Sequence, residues 1–440
     1  MTTIILRAPL RALAGGAAEH DVEGADVRAA IAALEERHPG VRGFIRDEQG
    51  TLRRHLALFL NGEPTTLEAH VAPEDQLMVL PAISGGSDAI ELLVGTKKGL
   101  VVLRGERGGE LAIAARAFPG RVVDYAIRDR RSGRYLAACN DMHHGPRIWV
   151  ADDPTGEWTP TSGPTFPEDA ATSVERVWVI EPGVNDGELW AGVAPAALFH
   201  SADNGDTWEL VRALWDQPTR SEWNAGAGGL MVHTICPIPG KPNDLLVGIS
   251  SAGIWRTADA GATWTMGNAG IVPRYLPPEM KPVHQFCIHH VERSGADPDR
   301  LFMQFHGGVY RSDDAGASWI AIMDDLPADF GFVTVADPRD RDRAWVIPLI
   351  ADMDRVPPEG RLRVYETTDA GTTWQGHGDG LPQHDAHQVV LRQAFCHDRS
   401  SPLGLWFGAT SGELFGSVDD GNTWRVAAAN LPPVLSVRVA

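Results

Sequence analysis

Two folds in succession are predicted for this 440-residue chain: a small α+β domain over residues 1–86, then an all-β seven-bladed propeller over residues 87–440, closed by the C-terminal strand. Three observations carry this. Strand and helix patterns alternate over a short stretch and stop at Gly85-Gly86. An octapeptide ending in tryptophan then recurs, its tryptophans 50 to 56 residues apart, the length of one four-stranded blade. Finally, Pro433 to Ala440 reads as an orphan strand, while the first propeller segment lacks an inner strand.

In the first domain, TTIILRA (Thr2 to Ala8) is β-branched and apolar and predicts a strand, with AGGA after Leu13 as a turn. From Gly24 the apolar positions fall at Val27, Ala30, Ile31 and Leu34, which is helical spacing, with Asp26 as N-cap and His38-Pro39-Gly40 as the stop. HLALFLNGE (His55 to Glu63) predicts a strand ending in an Asn-Gly turn, TTLEAHV (Thr65 to Val71) a short strand, and DQLMVLPA (Asp75 to Ala82) the last one. The order is β, β, α, β, β, β.

This segment resembles the MoaD/ThiS family of ubiquitin-like sulfur carriers in LRRHLALFLNGE, in the acidic PED before the last strand, and in the VLPAISGG tail. The resemblance implies a β-grasp fold. It also implies a chemistry in which an adenylating (E1-like) enzyme activates the terminal glycine carboxylate for conversion to a thiocarboxylate. Glycines suit such a tail because no side chain obstructs a narrow active site. That role would fall on Gly86, with Gly85 beside it. Here 354 residues follow Gly86, so its carboxylate is an internal peptide unless a peptidase cuts there. The alternative is a docking module on a flexible Gly-Gly linker.

The octapeptide copies are SADNGDTW (Ser201 to Trp208), TADAGATW (Thr257 to Trp264), SDDAGASW (Ser312 to Trp319), TTDAGTTW (Thr367 to Trp374) and SVDDGNTW (Ser417 to Trp424), with a degenerate ADDPTGEW (Ala151 to Trp158). The pattern S/T-x-D-x-G-x-T/S-W suits a hairpin: the hydroxyl and carboxylate bond backbone amides, glycine takes positive φ, and tryptophan buries. It resembles the Asp box of BNR-repeat families, which include sialidases, sortilin-type receptors and a photosystem assembly factor. That resemblance implies a propeller and says little about activity. Seven second-strand segments, ELLVGTKKG, RYLAACN, GELWAGV, DLLVGIS, RLFMQFHGG, RAWVIPL and GLWFGAT, set the blade count. Seven blades argue against a true sialidase, whose propeller has six. No Arg-Ile-Pro occurs, and among five tyrosines none is apparent that pairs with a glutamate and three arginines.

Aligning the inner strands places Asp124, Glu175, His233, His284, Gly331, His387 and Leu435 at one level of the channel. With 58 acidic residues and 16 histidines in 440, about one Asp, Glu or His would fall among seven positions by chance. His233, His284, His387, Glu175 and Asp124 are therefore candidate ligands for Zn, Mn or Fe, because imidazole and carboxylate suit those ions. Without a metal, Glu175, Asp124 and Arg176 are candidate catalytic groups. Gln285 and Gln388, which with Arg176 follow that level by one residue, are candidate contacts to a small polar ligand, as are His143, His144, Arg147 and His306, since long loops over a channel mouth tend to bind. Asp141, Asp352, Asp354 and Arg355 sit in the same loops.

A net charge of −19 disfavours nucleic acid and anionic membranes as partners. Four dispersed cysteines and no evident leader or apolar span predict a soluble, cytoplasmic protein. Two functions are expected. One is a sulfur-carrier-like domain fused to a propeller that binds a metal or small polar ligand, with glycosidase-like hydrolysis as its chemistry. The alternative is a non-catalytic propeller scaffold with the β-grasp domain docking a partner or released after Gly86.

Overall fold

The computed structural model describes residues 2–6, 10–46, 50–53, 56–61, 63–81, 89–141, 145–226, 228–276 and 284–440. Two compact units divide the chain, Met1–Ser87 and Asp88–Ala440. No helix among the described residues is long and apolar enough to cross a membrane.

The first unit contains β1 (Thr2–Leu6), α1 (Leu10–Leu13), β2 (Glu19–Val22), α2 (Val27–Arg37), β3 (Leu56–Leu60), β4 (Glu63–Thr65) and β5 (Gln76–Pro81). One sheet runs β2-β1-β5-β3-β4, with β1 and β5 parallel at its centre. Helix α2 forms where the apolar spacing places it, and Asp26 Oδ1 accepts from the Ala29 amide at 2.7 Å as its N-cap. Val27, Ala30, Ile31 and Leu34 pack into one core with Ile4, Leu6, Leu77 and Val79 from the two central strands. Of the expected strand Thr65 to Val71, only Thr65 lies in one, as the last residue of β4. Asn61, at φ 52°, begins a turn that sets Glu63 opposite Leu60, so the pairing residues come directly after the turn and His70 keeps only a bridge to Asp26. Gly85 and Gly86 lie outside the described residues.

Five four-stranded antiparallel sheets, each in chain order, and one eight-stranded sheet build the second unit. A single parallel pair, Gln393 with Ser436, splits the eight-stranded sheet into two four-stranded sets. In one of these, Val434–Val439 lies antiparallel to Ala89–Thr96, with Val437 opposite Val94. The inner strands of the sets are Val434–Val439, Val122–Arg128, Arg176–Pro182, Val232–Ile238, Ile288–Arg293, Phe330–Ala336 and Val390–His397. Adjacent sheets meet through apolar faces that bury Trp345 and Trp406 completely. The backbones come close: a Cβ at Gly192 would run into the carbonyl oxygen of Val232 on the next inner strand.

The octapeptide hairpins share one hydrogen-bond pattern. In the first, Ser201 Oγ donates to Asp203 Oδ1 at 2.8 Å and accepts from the Gly205 amide at 2.9 Å, while Thr207 donates to both carboxylate oxygens. The indoles of Trp208, Trp264 and Trp424 bond the glycine carbonyl of their own turn. Those of Trp319 and Trp374 reach back to Gly267 and Ile322 and so tie neighbouring sheets. The residue before each glycine is also left-handed: Asn204, Ala260, Ala315, Ala370 and Asp420 all have φ between 56° and 63°. Alanine is strained there, whereas asparagine is tolerated.

Ala260→Asn is therefore expected to stabilise the protein by ~0.5–1 kcal/mol, read as a raised urea midpoint. The carboxyls of Asp259 and Asp369 are held below their usual range, by the Thr263 hydroxyl and the Thr373 amide respectively. Their contribution is present above the unfolded value of about 3.9 and lost as pH falls through the lower folded value. The unfolding midpoint should accordingly drop as pH falls below about 4, with a smaller drop in Asp369→Asn.

Candidate functional site

The inner strands line the channel, and each slips register against its neighbour. The unpaired residue at the slip is Asp124, Trp178, His233, His289 or Leu435 in five of them. In the other two the gap is wider, falling between Gly331 and Thr334 and between Val390 and Phe395. Such bulges re-aim side chains. Asp124 and His233 thus occupy the expected level, but Trp178 and His289 stand where Glu175 and His284 were expected. Glu175 is exposed and precedes strand Arg176–Pro182; His284 and His387 lie ahead of Ile288 and Val390. The loops entering these strands differ in length, and the bulge breaks the two-residue alternation on which an alignment depends.

The five expected metal ligands form no cluster among the described residues: Asp124, His233 and His284 have other partners, and Glu175 and His387 are exposed. Arg176 holds the buried Asp124 carboxylate with two nitrogens, and Asn140 adds a third bond. Burial still pushes the Asp124 carboxyl up, with Arg176 and Asn140 offsetting part of the rise. His233 is buried, with Nε2 2.8 Å from Ile288 O and Nδ1 3.0 Å from Thr234 Oγ1. Burial lowers its imidazole well below the usual range. His284 lies 3.5 Å from Glu222 and is stacked on Trp255. His387 is exposed. Among the described residues, no hydrogen bond or ion pair joins two of these five. Among the ligand candidates, Arg147 and Gln285 are exposed and Gln388 is partly buried, while His143 and His144 lie outside the described residues.

The structure assembles two other clusters. Where the inner strands begin, Cys287, His289 and His306 bring their donor atoms within 4.8 Å of one another. Phe332 stacks on His289 at 5.0 Å, and Tyr275 meets the His306 ring edge-on at 4.6 Å. The guanidinium of Arg392 lies over Phe332 at 5.2 Å, and burial lowers its pKa to about 10. Burial likewise lowers both histidines and raises the Cys287 thiol.

Further along the channel lies a cavity of about 610 Å³, lined by Tyr125, Glu181, His233, Glu292, His397 and Arg438 among others. It extends to Asp129, Arg130, Arg131, Gly295 and Arg399, which follow the inner strands. Strand direction alternates across each sheet, so this is the end that also carries the octapeptide hairpins, opposite the expected mouth. Arg438 Nε donates to Tyr125 Oη at 2.8 Å, and Tyr125 Oη donates to Glu181. A Tyr–Glu pair with one arginine therefore exists that the sequence did not reveal. Arg438 also binds Gln393, whose amide reaches across the channel to His233 O at 2.6 Å. Burial raises the Tyr125 hydroxyl and the Glu181 carboxyl. The readable signal was charge inside apolar inner strands: Glu181 in RVWVIEP, Glu292 in IHHVER and Arg438 in VLSVRV.

The ThiS family matches residues 4–86. The chain is 32% identical to a protein of the Amycolatopsis orientalis BexX/CysO complex, covering 20% of this chain and 100% of that one, with a TM-score of 0.18. An ancestral GH74 enzyme is 14% identical, with 79% of this chain and 40% of that chain covered and a TM-score of 0.47. The chain thus spans about two fifths of that enzyme's length. YCF48 bound to D1 peptide is 11% identical over 78% of this chain and 86% of that one, also at 0.47. No curated protein matches the chain.

Truncating Arg438 to Met removes the donor to Tyr125 Oη and to the Gln393 amide oxygen, and with it the positive charge near Glu181. It should cost about 2 kcal/mol in urea unfolding, less than the ~3–5 of a sealed ion pair because the cavity admits water. His397 stands 3.4 Å from Glu292. Burial lowers its imidazole, but the hydrogen bond and charge of Glu292 outweigh that and hold it above the usual value. This stabilisation is complete below about pH 6.5 and lost as pH rises through the folded value. Glu292→Gln should therefore flatten the fall in stability above pH 6.5.

Proposed function

From the premise that residues 4–86 form a ThiS-family domain, we propose that the chain couples a sulfur-carrier-type unit to a seven-bladed Asp-box propeller that binds a small, polar, anion-bearing ligand. The seven four-stranded sets, the pairing of Val434–Val439 with Ala89–Thr96, and the shared hairpin chemistry support the propeller reading. The single observation that carries ligand binding is the cavity, whose volume of about 610 Å³ suits a small molecule and whose walls offer Arg438 and Arg399 for an anionic group. Glycosidase-like hydrolysis is the chemistry to test there. Glu181, whose carboxyl burial raises, is the candidate proton donor, and Glu292 in the same cavity is the candidate second carboxyl.

A second reading is release of the carrier by a peptidase cutting after Gly86, which frees a carboxylate for an adenylating enzyme. The family match ends at Gly86 and the compact units divide at Ser87, which favours a cut there. A cytoplasmic setting belongs to both readings and is supported by four free cysteines.

Thermal-shift and calorimetric titration with uronic acids and sugar phosphates tests the cavity. Saturable binding that falls at least about tenfold in Arg438→Met supports it, and no binding by a folded wild type sinks it. Intact-mass analysis from a host holding the cognate enzymes tests release. A product ending at Gly86 is expected, and a full-length mass under every condition refutes cleavage.

A further inference from the structure

We infer that Cys287, His289 and His306 form a site for a borderline-soft transition-metal ion of the zinc(II) class, at the end of the channel where the inner strands begin. This set shares only His306 with the sequence-based candidates, and its failure would leave the cavity reading intact.

The three donors are within 4.8 Å of one another. Tetrahedral zinc with bonds of ~2.3 Å to sulfur and ~2.0–2.1 Å to nitrogen needs them to close by about 1 Å, which side-chain rotation supplies. The backbone holding them is fixed. Cys287 and His289 flank Ile288, and at the bulge the His289 ring meets that of His306 edge-on, with centroids 5.3 Å apart. Ile288 pairs with Phe305, and the His306 amide bonds Cys287 O at 3.1 Å, which locks the third donor beside the first.

The surroundings also fit. His289 Nδ1 is 2.5 Å from Gly331 O. A carbonyl can only accept, so Nδ1 carries the proton and Nε2 keeps its lone pair for a metal, the usual way a ligating histidine is oriented. A carboxylate oxygen of Asp352 stands 3.6 Å from His306 Nε2. Phe330 and Phe332 wall the site, and the half-buried Cys287 leaves an approach for the ion. The nearby Arg392 guanidinium opposes a cation, and a thiolate ligand offsets that charge. On binding, the sulfur–metal bond replaces the S–H bond and the proton passes to solvent. Three protein ligands leave one tetrahedral position for water or for Asp352.

The test uses the full chain stripped with chelator, then titrated with cobalt(II) and, against a chromophoric chelator, with zinc(II). One cobalt per chain with thiolate-to-cobalt charge-transfer absorption is expected. Cys287→Ser should abolish that absorption, and His306→Gln should weaken zinc at least about tenfold. The exposed His387→Ala should leave both unchanged. Absence of the band in wild type, or zinc affinity unaltered in both ligand variants, overturns the assignment. If a variant does not fold, alkylation of wild type decides the matter: the other three cysteines are buried. Zinc should slow iodoacetamide modification of Cys287, and an unchanged rate refutes the site.

Discussion

Pairing of Val434–Val439 with Ala89–Thr96 is the constraint on which the second unit depends. The strand has two neighbours. It is antiparallel to Ala89–Thr96 on one side and touches Val390–His397 through Ser436 and Gln393 on the other. Without it, two sets of strands would present unpaired edges. The same strand delivers Arg438 into the channel, where one guanidinium engages Tyr125 and Gln393. Assembly of the sheets and assembly of the cavity are therefore one event, completed by residues almost 350 positions from the strand they pair with.

The crossing of Gln393 to His233 divides the channel. On one side stand a thiol and two imidazoles among aromatic rings, a setting for soft ligands. On the other stand arginines, glutamates and a tyrosine around a cavity, a setting for a charged solute. Metal-ligating donor atoms on the first side and arginines and carboxyls around a cavity on the second mean that the two ends select different chemistry.

Much of this was legible in the sequence because it is local. The N-cap at Asp26, the apolar stripe of the helix and the five octapeptide turns each depend on residues within one or two turns of chain. The second-strand segments also stand where their apolar runs place them. Register was not legible. Each inner strand carries a bulge, and an alignment that assumes unbroken alternation moves Glu175, His284 and His387 into a ring they do not enter. The cavity was hidden for a different reason. Gln393 and His233 are 160 positions apart and Arg438 and Tyr125 313, so nothing in either segment announces the other.

The ladder between Val439 and Leu92, and the Ala440 amide on Glu91 O at 3.0 Å, hold the two ends of the second unit side by side in one sheet. The pairing of these strands therefore does not depend on their order in the covalent chain. A short loop from Ala440 to Ala89 would join those ends, and new ends could be opened at any of the octapeptide hairpins. Sequence order and sheet order are in this sense separable, and the strand that comes last in the chain stands between the first and the last of the inner-strand sets.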